Sequence, residues 1–156
     1  LKEAYEKLLK LKPSVKVFNS DSPKQPFLNN EVVIGQIWGG EVYQANEENP
    51  DIVYIYPKEG ATFWVDNMVI PASTRNIDYA HAFIDFMCRP DVAKMNCEYV
   101  GYATANVEAQ KMLDEKTRNH KAVYPDKADI DRGEFQADVG ETIIIYEKYW
   151  EMLKTQ

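Results

Sequence analysis

The chain has 156 residues, enough for one ordinary domain that buries about 70% of its unfolded surface. Apolar residues make up 45% of it, which excludes a disordered segment, and no apolar run reaches the ~18 residues that span a membrane. The net charge of −7 disfavours nucleic-acid binding, because that function requires basic surfaces.

The N-terminal part of the chain is predicted to alternate short helices with short strands. Leucines spaced along residues 1–11 predict an amphipathic helix that ends at Pro13. A run of apolar residues over 32–37 predicts a buried strand of an α/β sheet. The helices predicted here are 1–11, 21–30 and 41–48, and the strands are 15–18, 32–37 and 52–56.

The C-terminal part begins with an extended stretch over 62–71 and is otherwise predicted to be helical. Asn76 is predicted to cap a helix that Pro90 ends, and the next helix is predicted to stop at Gly101. The remaining predicted helices are 91–100, 107–113 and 141–154, with loops and single turns over 117–134. Strands alternating with helices indicate an α/β architecture with a mixed or parallel sheet.

One candidate binding site stands out within the extended stretch. Strand alternation places Trp64 and Asp66 on the same face, two residues apart. A π-face attracts a cation, and a neighbouring carboxylate accepts its N–H donors. The pair therefore predicts a site for an organic ammonium, although a core Trp beside a strand-end Asp would give the same pattern.

The sequence contains few residue patterns that indicate catalysis or metal binding. Glu41 and Asp66 could serve as paired carboxylates in glycoside hydrolysis, but nothing in the sequence fixes their separation. There is no Gly-x-Ser-x-Gly and no phosphate-binding loop, so we expect no enzymatic activity. The cysteine and histidine residues show no zinc spacing, and no cofactor or metal is expected. Cys88 and Cys97 are interpreted as buried thiols, with a disulfide as the alternative.

Several segments, taken in chain order, resemble a known protein family. They are Trp38-Gly39-Gly40 after the run 32–37, and the segments 56–60, 60–71, 89–94, 101–106 and 133–140. Together they resemble the extracytoplasmic spermidine/putrescine-binding proteins of bacterial ABC transporters, over roughly the C-terminal half of such a protein.

The resemblance implies the two-lobed, periplasmic-binding-protein-like (type II) α/β fold, present here in part. Most of the second lobe and the segment returning to the first lobe would be represented. Residues 1–57 would belong to the second lobe, 58–102 would return to the first lobe, and 103–156 would complete the second lobe and its C-terminal helix.

The resemblance also implies five ligand-binding residues: Trp38, Trp64, Asp66, Tyr102 and Gln136. Asp66 would accept an amine, and Trp38 and Trp64 would enclose the methylenes between the amines. Tyr102 would add a wall or a hydroxyl, and Gln136 an amide oxygen. Alanines stand at 103 and 105 where the family usually has prolines, which loosens the loop that carries Tyr102.

The expected function is capture of a polyamine, spermidine or putrescine, outside the membrane and its delivery to the permease subunits of an ABC importer. The alternatives are a binding protein for another small solute such as a sugar, and a non-catalytic interaction module. A periplasmic or extracytoplasmic location is expected, with a lipid anchor or a fusion upstream of this chain. Because the chain represents one lobe and only part of the other, we expect it to bind polyamines poorly alone and to associate with itself.

Overall fold

A computed structural model describes residues 1–155, which form two compact units that are mostly helical. The first unit joins Leu1–Ser22 to the residues from Gln136 onward, and the second is Pro23–Phe135. The helices are α1 (Lys2–Leu11), α2 (Gln25–Leu28), α3 (Gly39–Glu48), α4 (Ile77–Met87), α5 (Pro90–Val100), α6 (Val107–Met112), α7 (Glu115–Arg118), α8 (Lys127–Arg132) and α9 (Ile143–Thr155). None of the helices described is long and apolar enough to cross a membrane.

The first unit is a pair of helices, α1 and α9, that pack together. The buried ring of Tyr5 lies 5.1 Å from the ring of Tyr149, measured between centroids. Lys12, in the 3-10 turn after α1, donates its ammonium to the backbone carbonyl of Leu153 near the end of α9. Both predicted helices are confirmed, but the predicted strand 15–18 is wrong, because those residues pair with no neighbouring strand.

The core of the second unit surrounds α3. Tyr43 packs with the buried side chains of Cys97, Leu113 and Val123, which come from α5 and from the segments after α6 and α7. The Tyr43 hydroxyl is 2.9 Å from the Oγ1 of Thr117, which is 1% exposed. This hydrogen bond gives each of the two buried hydroxyl groups a partner inside the core.

In the second unit, particular residues at the helix boundaries determine where the helices begin and end. Pro90 occupies the first turn of α5, and Gly101 ends that helix with a φ of +74°, as the sequence predicted. The side chain of Asn106 caps α6 by accepting the backbone N–H of Ala109 at 2.9 Å. Asn76 is the N-cap residue of α4, as predicted, and its backbone carbonyl accepts the N–H of Ala80 at 3.0 Å, but its side chain makes no capping bond.

The sheet is much smaller than the sequence predicted. Strand β1 (Thr62–Phe63) pairs in parallel with β2 (Glu134–Phe135), with Thr62 opposite Glu134. Residues 32–37 and 52–56 form no ladder in the described chain, and the predicted stretch 62–71 is a strand only at its start. The strand predictions are wrong because β-propensity measures fit against a neighbouring strand, and these segments have none.

A row of aromatic rings holds the segment 52–56 beside the small sheet. Tyr54 meets Tyr56 edge-on with centroids 4.9 Å apart, Tyr56 stacks on Phe63 at 6.0 Å, and Phe63 lies 5.7 Å from Phe135. Side-chain packing therefore replaces backbone hydrogen bonds in positioning this extended segment.

Candidate ligand-binding surface

Two aromatic side chains, Trp64 and Tyr102, meet beside the C-terminal ends of β1 and α5, and we call this pair the aromatic corner. Trp64 directly follows β1, and Tyr102 directly follows Gly101, the residue that ends α5. Their rings meet edge to face, with centroids 6.4 Å apart and planes at 66°. Trp64 is 41% exposed, so part of this residue remains open to solvent. The corner can pack against a flat or linear apolar group and attract a cation.

The first residues of α3 pack against the Tyr102 ring of this corner. Gly39 and Gly40 are buried, and a Cβ at Gly40 would lie 2.3 Å from the Cε2 atom of Tyr102, so the phenol ring rests directly on this turn. Trp38, the residue before the helix, is extended and 43% exposed. Among residues 1–155, its indole makes no ring contact with Trp64 or Tyr102. Trp38 is thus linked to the corner through the glycine turn.

The electrostatics of the corner centre on the Tyr102 hydroxyl. Burial raises the pKa of Tyr102, and the carboxylates of Glu41 and Asp66 raise it further by disfavouring a phenolate. The side-chain carboxylates of Glu41 and Asp66 form no hydrogen bond or ion pair within the described part of the chain. The corner therefore combines aromatic faces with two uncompensated negative charges, an arrangement that favours a cationic ligand.

The five predicted residues are divided between the two units. The second unit brings Trp64, Asp66 and Tyr102 together, with Trp38 beside them through Gly40. Gln136 is exposed and belongs to the first unit, directly after β2. Its predicted contact with a ligand stays a prediction.

Two residues of this surface were not identified from the sequence as part of the binding site. Gly40 supports the Tyr102 ring, and the Gly39-Gly40 pair was the only indication of a close approach. Glu41 was considered only as a hydrolytic carboxylate, because its contribution to the charge around Tyr102 depends on where α5 ends relative to α3.

The second unit has a shallow cleft of about 260 Å³. Residues 119–122 line part of it, and this segment packs against Gly39. His120 lines the cleft, with Nδ1 accepting the backbone N–H of Ala122 at 3.2 Å and Nε2 facing the Oδ1 of Asn46 at 3.3 Å. Burial lowers the pKa of His120. The carbonyl of Ala122 would lie 2.4 Å from a Cβ at Gly39, so this segment packs directly on the start of α3.

Neither a disulfide nor a metal cluster is found in the region the structure describes. Both cysteines are free thiols; Cys97 is buried as predicted, whereas Cys88 is exposed and the prediction for it is wrong. Cys88 directly follows α4, a helix that has no buried residue itself. Within residues 1–155, no three His, Cys, Asp or Glu side chains are grouped to hold a metal ion.

Sequence relatives of the chain are bacterial binding proteins. Residues 1–125 match the family described as bacterial extracellular solute-binding protein. The spermidine/putrescine-binding periplasmic protein of Escherichia coli is 44% identical over 154 residues, and that of Salmonella typhimurium is 43% identical. Each alignment covers 99% of this chain and 44% of the relative, so the chain spans less than half the length of these curated relatives.

Solved structures of similar proteins match nearly the whole chain. A Listeria monocytogenes protein proposed to be a spermidine/putrescine ABC transporter has a TM-score of 0.89 at 35% identity, covering 98% of this chain and 48% of that protein. The spermidine/putrescine ABC transporter substrate-binding protein PotD of Streptococcus pneumoniae has a TM-score of 0.78 at 37% identity, covering 99% of this chain and 48% of that protein.

These matches confirm the predicted resemblance and the predicted fold class. The helices and the small parallel sheet form part of a periplasmic-binding-protein-like α/β fold, of which the chain covers about half. The chain belongs to the bacterial extracellular solute-binding protein family.

Proposed function

We propose that the protein is the solute-binding component of an ABC importer, and that its ligand is a polyamine such as spermidine or putrescine. The observation that carries this proposal is the corner of Trp64 and Tyr102 beside the unpartnered carboxylate of Asp66. The relatives named as spermidine/putrescine-binding proteins support the same ligand class.

The chemistry of the corner suits a linear amine. Each ammonium requires hydrogen-bond acceptors and charge compensation, which Asp66 would supply. The methylenes between ammonium groups prefer flat apolar walls, which Trp38 and Trp64 would supply. Gln136 would add an amide oxygen, and binding without a covalent step requires no catalytic group. A sugar would also stack on tryptophan and donate hydroxyl hydrogen bonds to carboxylates, but it carries no positive charge to neutralise the two unpartnered carboxylates.

The location and partners of the protein follow from the same proposal. The relatives in Escherichia coli and Salmonella typhimurium are named periplasmic, which supports an extracytoplasmic location for this protein. The proposed partners are the permease subunits that receive the polyamine. A lipid anchor or a fusion upstream of this chain would hold it at the membrane.

Two lobes would enclose the ligand, with residues 1–57 and 103–156 in the second lobe and 58–102 returning to the first. Because the chain spans 44% of the relatives, we expect the second wall of the site to come from outside these 156 residues. The chain alone would then bind polyamines weakly.

We propose that a second copy of the chain covers its exposed apolar segments. Large side chains that are at least 47% exposed include Val33, Ile34, Val53, Ile55, Phe83 and Phe86. Extended segments without a ladder, together with an apolar helix face, favour pairing with another chain and exchange of segments between copies. Sedimentation of the 156-residue chain tests this, and a monomer across the micromolar range would contradict it.

Calorimetry with the full-length protein tests the polyamine site. Asp66→Asn should weaken spermidine binding by about 2–5 kcal/mol, because it leaves a desolvated ammonium unpaired. Asp85→Asn is the matched control, since that carboxylate is exposed on α4 and forms no ion pair within residues 1–155. Equal spermidine affinity for Asp66→Asn and wild type, or tighter binding of maltose than of spermidine, would overturn the proposal.

A further inference from the structure

We propose that Gly40 is a positioning residue that sets where the Tyr102 ring stands in the binding surface. This inference rests on the proposed function, because its importance depends on Tyr102 contacting the ligand. Gly40 would not touch the ligand itself. It would act by leaving space on the first turn of α3 into which the phenol ring fits.

The contact between Gly40 and the ring leaves no room for a side chain. A Cβ at Gly40 would lie 2.3, 2.6 and 2.7 Å from the Cε2, Cδ2 and Cζ atoms of Tyr102. Contacts below 3.0 Å are essentially never seen for a real Cβ, so a methyl group there would displace the ring.

The backbone before Tyr102 has little room to absorb this displacement, because Gly101 is itself closely packed. Gly101 has a φ of +74°, and a Cβ there would lie 2.8 Å from the Tyr43 ring and 2.9 Å from the carbonyl oxygen of Gly40. The start of α3 and the end of α5 therefore meet through two glycines. The Tyr102 ring also meets Trp64.

The backbone of Gly40 does not by itself require glycine. It lies within α3 and is not among the glycines with positive φ, which are Gly60, Gly101 and Gly140. At such a helical position alanine is intrinsically favoured over glycine. The contact with Tyr102 is therefore the physical reason that alanine is disfavoured at position 40.

A displaced ring would alter the binding surface in two ways. The edge-to-face contact between Tyr102 and Trp64 would open, and the hydroxyl would move relative to the carboxylates of Glu41 and Asp66. Gly40 would thereby influence ligand affinity only through Tyr102.

A double-mutant cycle separates this role from a general structural one. In the full-length protein, Gly40→Ala should weaken spermidine binding about tenfold, and should have less than a twofold effect in a Tyr102→Ala background, where the ring is absent. Gly35→Ala is the matched control: its methyl would lie 2.9 Å from the ring of Phe27 rather than that of Tyr102, and it should leave affinity within twofold. Equal losses in both backgrounds would overturn the proposal.

A second readout needs no ligand. In chain labelled with ¹³C in its tyrosine rings, the Tyr102 signals are assigned by their loss in Tyr102→Phe. Gly40→Ala should shift these signals and remove the cross-peak between the Tyr102 ring and the Trp64 indole. Unchanged signals would overturn the inference whatever the affinity. If the full-length protein binds no spermidine while the signals shift, the proposed function fails and the positioning role stands.

A variant that does not fold also gives a decisive result. If Gly40→Ala alone lacks the circular dichroism of the wild type, adding Tyr102→Ala should restore it, because the methyl then has space. Failure of the second substitution to restore folding would show that the ring is not what Gly40 accommodates, and would overturn the proposal.

Discussion

The second unit contains two regions rich in apolar side chains, of which one is buried and the other is exposed to solvent. Around α3, the side chains of Tyr43, Leu113 and Val123 are 3–8% exposed and pack into a core. In the extended segments, Val33 and Ile34 are 97% and 85% exposed. A helix closes its own backbone hydrogen bonds, whereas a strand requires a neighbour. Apolar sequence therefore gave burial only where local structure could form without a partner strand.

The largest expected effect comes from removing one side chain from each region. Leu113→Ala should lower the free energy of unfolding by about 2–5 kcal/mol, because it leaves a cavity beside Tyr43 and Val123. At concentrations low enough for the chain to be monomeric, Ile34→Ala should change it by less than about 0.5 kcal/mol, since that side chain is then in solvent. Urea unfolding followed by far-UV circular dichroism measures both. A comparable loss from Ile34→Ala would show that the extended segment is covered in solution.

The helix caps allow a finer comparison between an N-cap residue whose side chain bonds to the helix and one whose side chain does not. Asn106→Ala should cost about 0.5–2 kcal/mol of unfolding free energy, because the side chain accepts the N–H of Ala109. Asn76→Ala should cost much less, since that side chain makes no capping bond. The same unfolding measurement tests the pair, and equal losses would contradict the difference between the two helix ends.

The smallest expected effect is a pH dependence in the packed region. Burial lowers the pKa of His120 from its ordinary value of 6.5, with Glu47 opposing and Lys116 reinforcing the shift. The unfolded chain therefore binds a proton there more readily than the folded chain, so the free energy of unfolding falls as pH drops below about 6.5.

Protonation would also remove the acceptor at Nδ1 that the backbone N–H of Ala122 uses. His120→Asn should flatten the dependence of stability on pH between 7 and 5. His81→Asn, at an exposed position on α4, should leave it unchanged. An identical pH profile for wild type and His120→Asn would contradict the assignment.

The fold was predictable where residues determine structure locally. Leucine spacing, Pro90 and Gly101 correctly predicted α1, α5 and the end of α5. Strands were not predictable from the same chain, because pairing depends on residues far away in sequence or outside it; only Thr62 and Phe63 of the long stretch found a partner.

In the candidate site, too, only the features that depend on nearby residues could be predicted from the sequence. Trp64 and Asp66 could be linked from their spacing alone, and both act on Tyr102. The support from Gly40 could not be foreseen, because it depends on the end of α5 approaching the start of α3. The resemblance identified Trp38, Tyr102 and Gln136, for which spacing gives no argument.

The aromatic row of Tyr54, Tyr56, Phe63 and Phe135 has an optical consequence. Neighbouring rings with centroids 4.9–6.0 Å apart, held at fixed angles, form an asymmetric array of chromophores. Near-ultraviolet circular dichroism is sensitive to such fixed tertiary packing. Because Phe63 directly precedes Trp64, the tyrosine bands of the row should report whether the strand that leads into the binding surface is in place.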